Sequence, residues 1–229
     1  LGIAGIWLPG AVPQIIDRII LGCATAVVMS AGTSLIASFY QAEARLKMIA
    51  RQGMAIELGG VVFLFVGGIL ASASWRYPYG LYLFSWVLLV LVLLCVPRPQ
   101  QQMRAESFED AVTSSDRQLR PVWLAAFCSM ICFFTAVIML PQRFALMGVN
   151  AAHIGYFLSF VSLVAVLAAA LMPHVALQFG NYPTLIMAFI CYLLAHPEFA
   201  AAPNVMLCLP GGILLGMGFG LPVPLVNHM

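Results

Sequence analysis

Charged side chains are scarce in this chain, so those set inside apolar stretches are the first places to look for chemistry. Asp17 and Arg18 stand a short way into the run 14–39, and Glu57 stands inside 51–76, RQGMAIELGGVVFLFVGGILASASWR. A carboxyl group held in such a run is costly in lipid, so it faces protein or a wet cavity, where it can take up and release a proton. For Glu57 the competing reading is a structural pair with Arg51 or Arg45. For Arg18, beside Asp17, it is a long side chain snorkelling from near a helix end to the headgroups. Gln142 and Arg143, after Pro141, could line a substrate entrance or simply lie at the interface. Phe133 and Phe134 could wall a site for a hydrophobic molecule, although packing is the commoner role of such residues.

Other chemistries find no support. The six cysteines lie in apolar runs without metal-ligand or secreted-type spacing, and Cys128 and Cys132 read as packing residues. His153, His174, His196 and His228 are scattered near helix ends. No phosphate-binding loop, dinucleotide fingerprint or Ser/His/Asp arrangement is visible, so neither an enzyme nor an ATP-driven pump is indicated, and no cofactor or metal is implied. The formal net charge of +2 is too small to suggest a nucleic-acid partner.

The elements that must position these residues are membrane helices. Of 229 residues, 63% are apolar and 8% charged, against about a quarter charged in soluble domains. Mean hydropathy is +1.02. In 51–76 the residues Gly53, Glu57, Gly60, Leu64, Gly67 and Ala71 share one helical face, with Gly59 and Gly68 beside it. Small residues on one stripe let two helices approach closely in lipid. Gly212, Gly216 and Gly220, four residues apart, form a second such stripe.

In chain order, residues 1–8 read as the tail of a helix, and Pro9-Gly10 with Pro13 as a turn. Spans follow at 14–39 and 52–72, joined by a short amphipathic connection, 41–51. After a tight turn at SASWRYPYG comes 80–96. Residues 97–120 are the one long polar stretch, a linker carrying Arg98, Arg104, Glu106, Glu109, Asp110, Asp116, Arg117 and Arg120. Spans resume at 121–143 and at 151–172, the latter capped by Asn150 and bearing a small, weakly polar face of Gly155, Ser159 and Ser162. The segment 173–183 reads as a loop, 184–196 as a shorter apolar run ended by a turn at 196–204, and 205–226 as a last span disturbed by Pro222 and Pro224. The total is seven spans and a stub. The loops 41–51 and 97–120 hold seven Arg/Lys and so belong on the cytoplasmic side, which puts Trp75, Tyr77, Tyr79 and Tyr82 in an outer aromatic belt.

This layout resembles the middle of a major facilitator superfamily transporter. In the family's fourth helix an Arg is followed four residues later by Gly and then small residues; Arg18, Gly22, Ala24 and Ala26 match, with Leu21 where Gln is usual. In the fifth, antiporter members carry a Gly-rich signature ending Gly-Pro-x-x-Gly-Gly. Gly59, Gly67 and Gly68 fit it, while Phe63-Leu64 replace Gly-Pro. Of the charged signature between the eighth and ninth helices only Gly180 remains.

The resemblance implies an all-α membrane fold of two pseudo-symmetric bundles: 1–96 in the first, 97–120 a cytoplasmic linker, 121–229 in the second. Seven of twelve helices would be visible, from the tail of the third to the tenth, as part of a longer chain. It further implies a secondary transporter working by alternating access: a proton-coupled, efflux-type antiporter of a drug, siderophore or metabolite. Arg18 would then influence protonation of a nearby carboxylate. The expected setting is a monomer in the bilayer of a bacterial inner membrane, with a small-molecule substrate and protons as partners. An uptake symporter or uniporter of the same fold, or a non-transporting sensor or scaffold, is the alternative.

Overall fold

A computed structural model describes residues 2–8, 10–95 and 116–228. Its long helices are α1 (Ala11–Phe39), α2 (Ala42–Ala73), α3 (Phe84–Cys95), α4 (Asp116–Leu146), α5 (Ala151–Phe179), α6 (Asn181–Ala201) and α7 (Leu209–Gly220), followed by the short α8 (Pro222–His228). Three 3-10 segments, Gly2–Ile6, Tyr77–Leu83 and Met206–Cys208, connect them. No strand occurs among the described residues. Seven segments there are long and apolar enough to cross a membrane, Tyr77–Cys95 and Met206–Asn227 each counting as one. The chain is an all-α, multi-pass integral membrane protein.

Several boundaries differ from the sequence reading. Residues 41–51 are no separate connection but the first turns of α2, because Ala, Glu, Arg, Leu, Lys and Met are all strong helix formers. Glu43 and Lys47 pair there at 2.7 Å, one turn apart. Residues 2–6 form a 3-10 turn rather than an α-helical tail. The expected loop 173–183 is helical apart from one residue. α5 runs through Pro173 to Phe179 and α6 starts at Asn181. Gly180 alone makes the reversal, at φ 89°, a conformation that costs glycine little. α6 likewise continues through Pro197 to Ala201, so that only the end of the expected turn, from Ala202 on, is non-helical. Inside a membrane protein neighbouring helices compensate the backbone group that proline frees, so proline stops a helix less reliably there. Of the linker 97–120, residues 97–115, with Arg98, Arg104, Glu106, Glu109 and Asp110, lie outside the described residues, and 116–120 open α4. The Asn150 side chain does cap α5, accepting from Ala152 N at 3.1 Å.

α2 and α5 form the most extensive helix pair, antiparallel along most of their length. One buried core gathers Phe133, Phe144, Phe157, Tyr192, Leu215 and Phe219 from α4 to α7. A second joins Leu46 and Ala50 of α2 to Met172 of α5 and Leu225 of α8. α1 and α3 keep most of their apolar surface outward, Val28 and Leu94 among it, where a bilayer supplies the solvent.

Candidate functional site

The α2–α5 contact is built from missing side chains. A Cβ on Gly68 would stand 2.7 Å from Gly155 Cα, and one on Gly53 3.7 Å from Ala169 Cβ, with Pro224 of α8 also close to it. Between these points the Ser159 hydroxyl donates to Val61 O at 3.0 Å, and Phe65 stacks on Tyr156 with centroids 4.9 Å apart. Gly60 also faces α5: its absent Cβ would lie 3.0 Å from Ser162 Oγ and 4.0 Å from Glu57 Oε2. Gly67 turns to Leu81 instead, and Gly59 and Gly22 meet nothing within 4 Å. On α7, Gly212, Gly216 and Gly220 all face α5, opposite Phe157, Val161 and Ala165.

Glu57 lies midway along α2, inside this contact and only 8% exposed. The Ser162 hydroxyl stands beside its carboxyl group, both next to Gly60. Among the described residues no cation pairs with it. The pairing with Arg51 or Arg45 that the sequence allowed is therefore not formed. Both arginines sit about 120° round the helix from Glu57, at about 3.6 residues per turn. Nothing in the spacing singled out Ser162, which becomes a partner only because α5 packs on α2.

A second cluster lies near the C-terminal end of α2. The Arg18 Nη1 donates to the Tyr82 hydroxyl at 3.1 Å, and its Cζ stands 5.2 Å from the Tyr79 ring centroid and 5.8 Å from that of Tyr82. Asp17 Oδ2 is 3.5 Å from Arg18 Nη2, an ionic contact too long for a good hydrogen bond, and that oxygen is buried without another partner. Tyr79 and Tyr82, read from sequence as interfacial aromatics, thus hold the arginine. Beside them opens a cleft of about 730 Å³ between α2, α3, the end of α4 and the start of α5.

The remaining candidates serve elsewhere. Arg143 closes the end of α6, donating from Nη1 to Ala200 O at 2.9 Å and from Nη2 to Ala202 O at 2.7 Å. Gln142 precedes it, exposed. Phe133 is buried and stacks on Phe219 at 3.6 Å, while Phe134 is half exposed. Ser129 and Tyr192 share a buried hydrogen bond at 3.1 Å, and both ring nitrogens of His196 face carbonyls, Tyr192 O at 2.8 Å and Cys132 O at 3.1 Å. Glu198 Oε1 accepts from Gly211 N at 2.7 Å, at the start of α7. Among the described residues no group of His, Cys, Asp or Glu is placed to hold a metal.

Compared with curated proteins and with solved structures, the chain finds no match. The family model described as Major Facilitator Superfamily matches residues 1–229. With seven membrane-length apolar helices and a close-packed glycine contact between α2 and α5, the chain belongs to the major facilitator superfamily of membrane transporters.

Proposed function

We propose that this transporter is a proton-coupled exporter of a small amphipathic or weakly charged molecule, working by alternating access. Segments 1–96 and 121–229 are the two moving bundles, joined by 97–120 on the cytoplasmic side. The setting is a bacterial inner membrane, with the protein acting as a monomer.

One observation carries the coupling: Glu57 is a buried carboxyl midway along a membrane helix, with a serine hydroxyl beside it and, among the described residues, no cation paired with it. An acid kept only to stabilise the fold would be expected to have a cationic neighbour, since an unpaired charge in such a place is costly. A group that alternates between neutral and charged as a proton passes tolerates the site. Its position in the α2–α5 contact also couples protonation to packing between the two segments. The near absence of charge on the cleft favours cargo that is mostly apolar.

The test uses the full-length protein in vesicles loaded with a pH-sensitive dye. An imposed proton gradient should drive rhodamine 6G, as first probe, against the direction of proton flow, and Glu57→Gln should abolish that coupling while leaving folding intact. Unchanged coupling in Glu57→Gln would remove Glu57 from the mechanism, and flow of probe and protons in the same direction would make the protein a symporter.

A further inference from the structure

We propose that the cleft beside Arg18 is a binding site for a single-chain amphipathic carboxylate, the acyl chain lying in the cleft and the carboxylate on the arginine. The site's room comes from the small residues Gly67, Ala71 and Ala151, beside the close contact of Gly68 with Gly155. Around them Phe63, Leu81, Phe84, Leu88 and Leu158 give apolar walls. The volume, about 730 Å³, is of the size that takes one drug-sized molecule, roughly 300–1,000 Å³.

Among the described residues, Arg18 is the only charged one on the lining. Its side chain is 41% exposed, so it stands where the cleft opens rather than within a sealed core. The two tyrosine rings fix the guanidinium, and its one hydrogen bond goes to the Tyr82 hydroxyl. Because the Asp17 contact is ionic without being a good hydrogen bond, and one N–H of Nη1 goes to Tyr82, the five-donor guanidinium keeps donors for a ligand. A planar fork of donors suits the two oxygens of a carboxylate. Asp17 is buried and does not line the cleft, so a cationic ligand would meet Arg18 first. With Asp17 beside it, the guanidinium selects a carboxylate by the geometry of its donors rather than by an unbalanced charge, and aromatic and aliphatic walls select a chain behind it.

The assignment rests on the transport reading only for the ligand's role as cargo. Binding itself is tested without a gradient, so the two readings fail separately. Full-length protein in phosphatidylcholine nanodiscs is irradiated with a diazirine-bearing sixteen-carbon fatty acid, and the labelled peptides are mapped. Labelling should fall on the cleft segments of α2, α3 and α5. Palmitate should compete, and hexadecyltrimethylammonium, with the same chain and opposite charge, should not. Arg18→Gln should weaken labelling about ten-fold or more, the loss expected of one charge-assisted hydrogen-bonded pair. Arg18→Lys should retain part of it. Ala71→Trp, which fills the cleft without touching the arginine, should abolish labelling while circular dichroism and melting stay close to the parent.

Label spread over the outward faces of α1 and α3, or equal competition by the ammonium compound, overturns the proposal. So does Arg18→Gln labelling at the parent level. Displacement of the probe by phosphatidylglycerol in the nanodisc also overturns it, assigning the arginine to a lipid headgroup instead.

Discussion

Gly68 and Gly155 meet with no side chain between them. A Cβ on either would stand 2.7 Å from the other's Cα, and a Cβ on Gly155 would also lie 2.7 Å from Leu64 O. The obstacles are backbone atoms, so no rotamer change relieves them. Gly155→Ala should therefore push α2 from α5 and cost about 1–3 kcal/mol, the usual range for overpacking. Gly59→Ala, into open space, should be neutral or stabilising by up to about 1 kcal/mol through helix propensity. Thermal unfolding in detergent separates the two, and equal melting temperatures would show that the contact does not hold the helices together.

The Ser162 hydroxyl stands beside the Glu57 carboxyl in the α2–α5 contact. Ser162→Ala should lower stability by about 1 kcal/mol, the typical net value of one hydrogen bond. Coupled transport should also fall in Ser162→Ala yet survive in Ser162→Thr, which keeps the hydroxyl. A vesicle flux assay on the three proteins decides whether the hydroxyl or merely the small size of residue 162 matters.

Arg143 was a candidate for a substrate entrance, but its guanidinium is occupied by the carbonyls of Ala200 and Ala202. Arg143→Gln should destabilise by about 1–3 kcal/mol, as expected for hydrogen bonds to a charged donor. Transport per folded molecule should keep its KM. A changed KM with unchanged melting would return Arg143 to the entrance.

Ser129 and Tyr192 bridge α4 and α6 in a buried setting. Ser129→Ala and Tyr192→Phe should each destabilise by about 1 kcal/mol. The double variant should lose less than the sum, with a coupling energy of about 0.5–1.5 kcal/mol in a double-mutant cycle. Strict additivity would mean that the bond contributes nothing net.

Helix positions were largely legible in the sequence. Where it misled, the punctuation came from rules calibrated in water. Pro173 and Pro197 read as stops, yet α5 and α6 run through both because an apolar medium makes an unpaired backbone costlier than a strained turn. The polar residues of 41–51 read as a connection, although nothing in that stretch breaks a helix. The candidate site was legible in part. Arg18, Asp17 and Glu57 stood out because charge inside apolar sequence is rare. Their partners did not: Tyr79 and Tyr82 looked like belt residues, and Ser162 was one serine among several.

The sequence by itself determined that this protein lives in a membrane, where its helices run, and that glycine stripes on α2 and α7 bring helices close. Those properties depend on composition and on the 3.6-residue period, which are written locally along the chain. Only the tertiary structure decided that Gly68 meets Gly155 while Gly59 meets nothing, that Glu57 has a hydroxyl and no arginine beside it, and that Arg18 sits at the edge of an apolar cleft. Each of these depends on the rotation and register of one helix against another. Small differences in close packing between distant segments set that register, and they leave no periodic trace in the sequence.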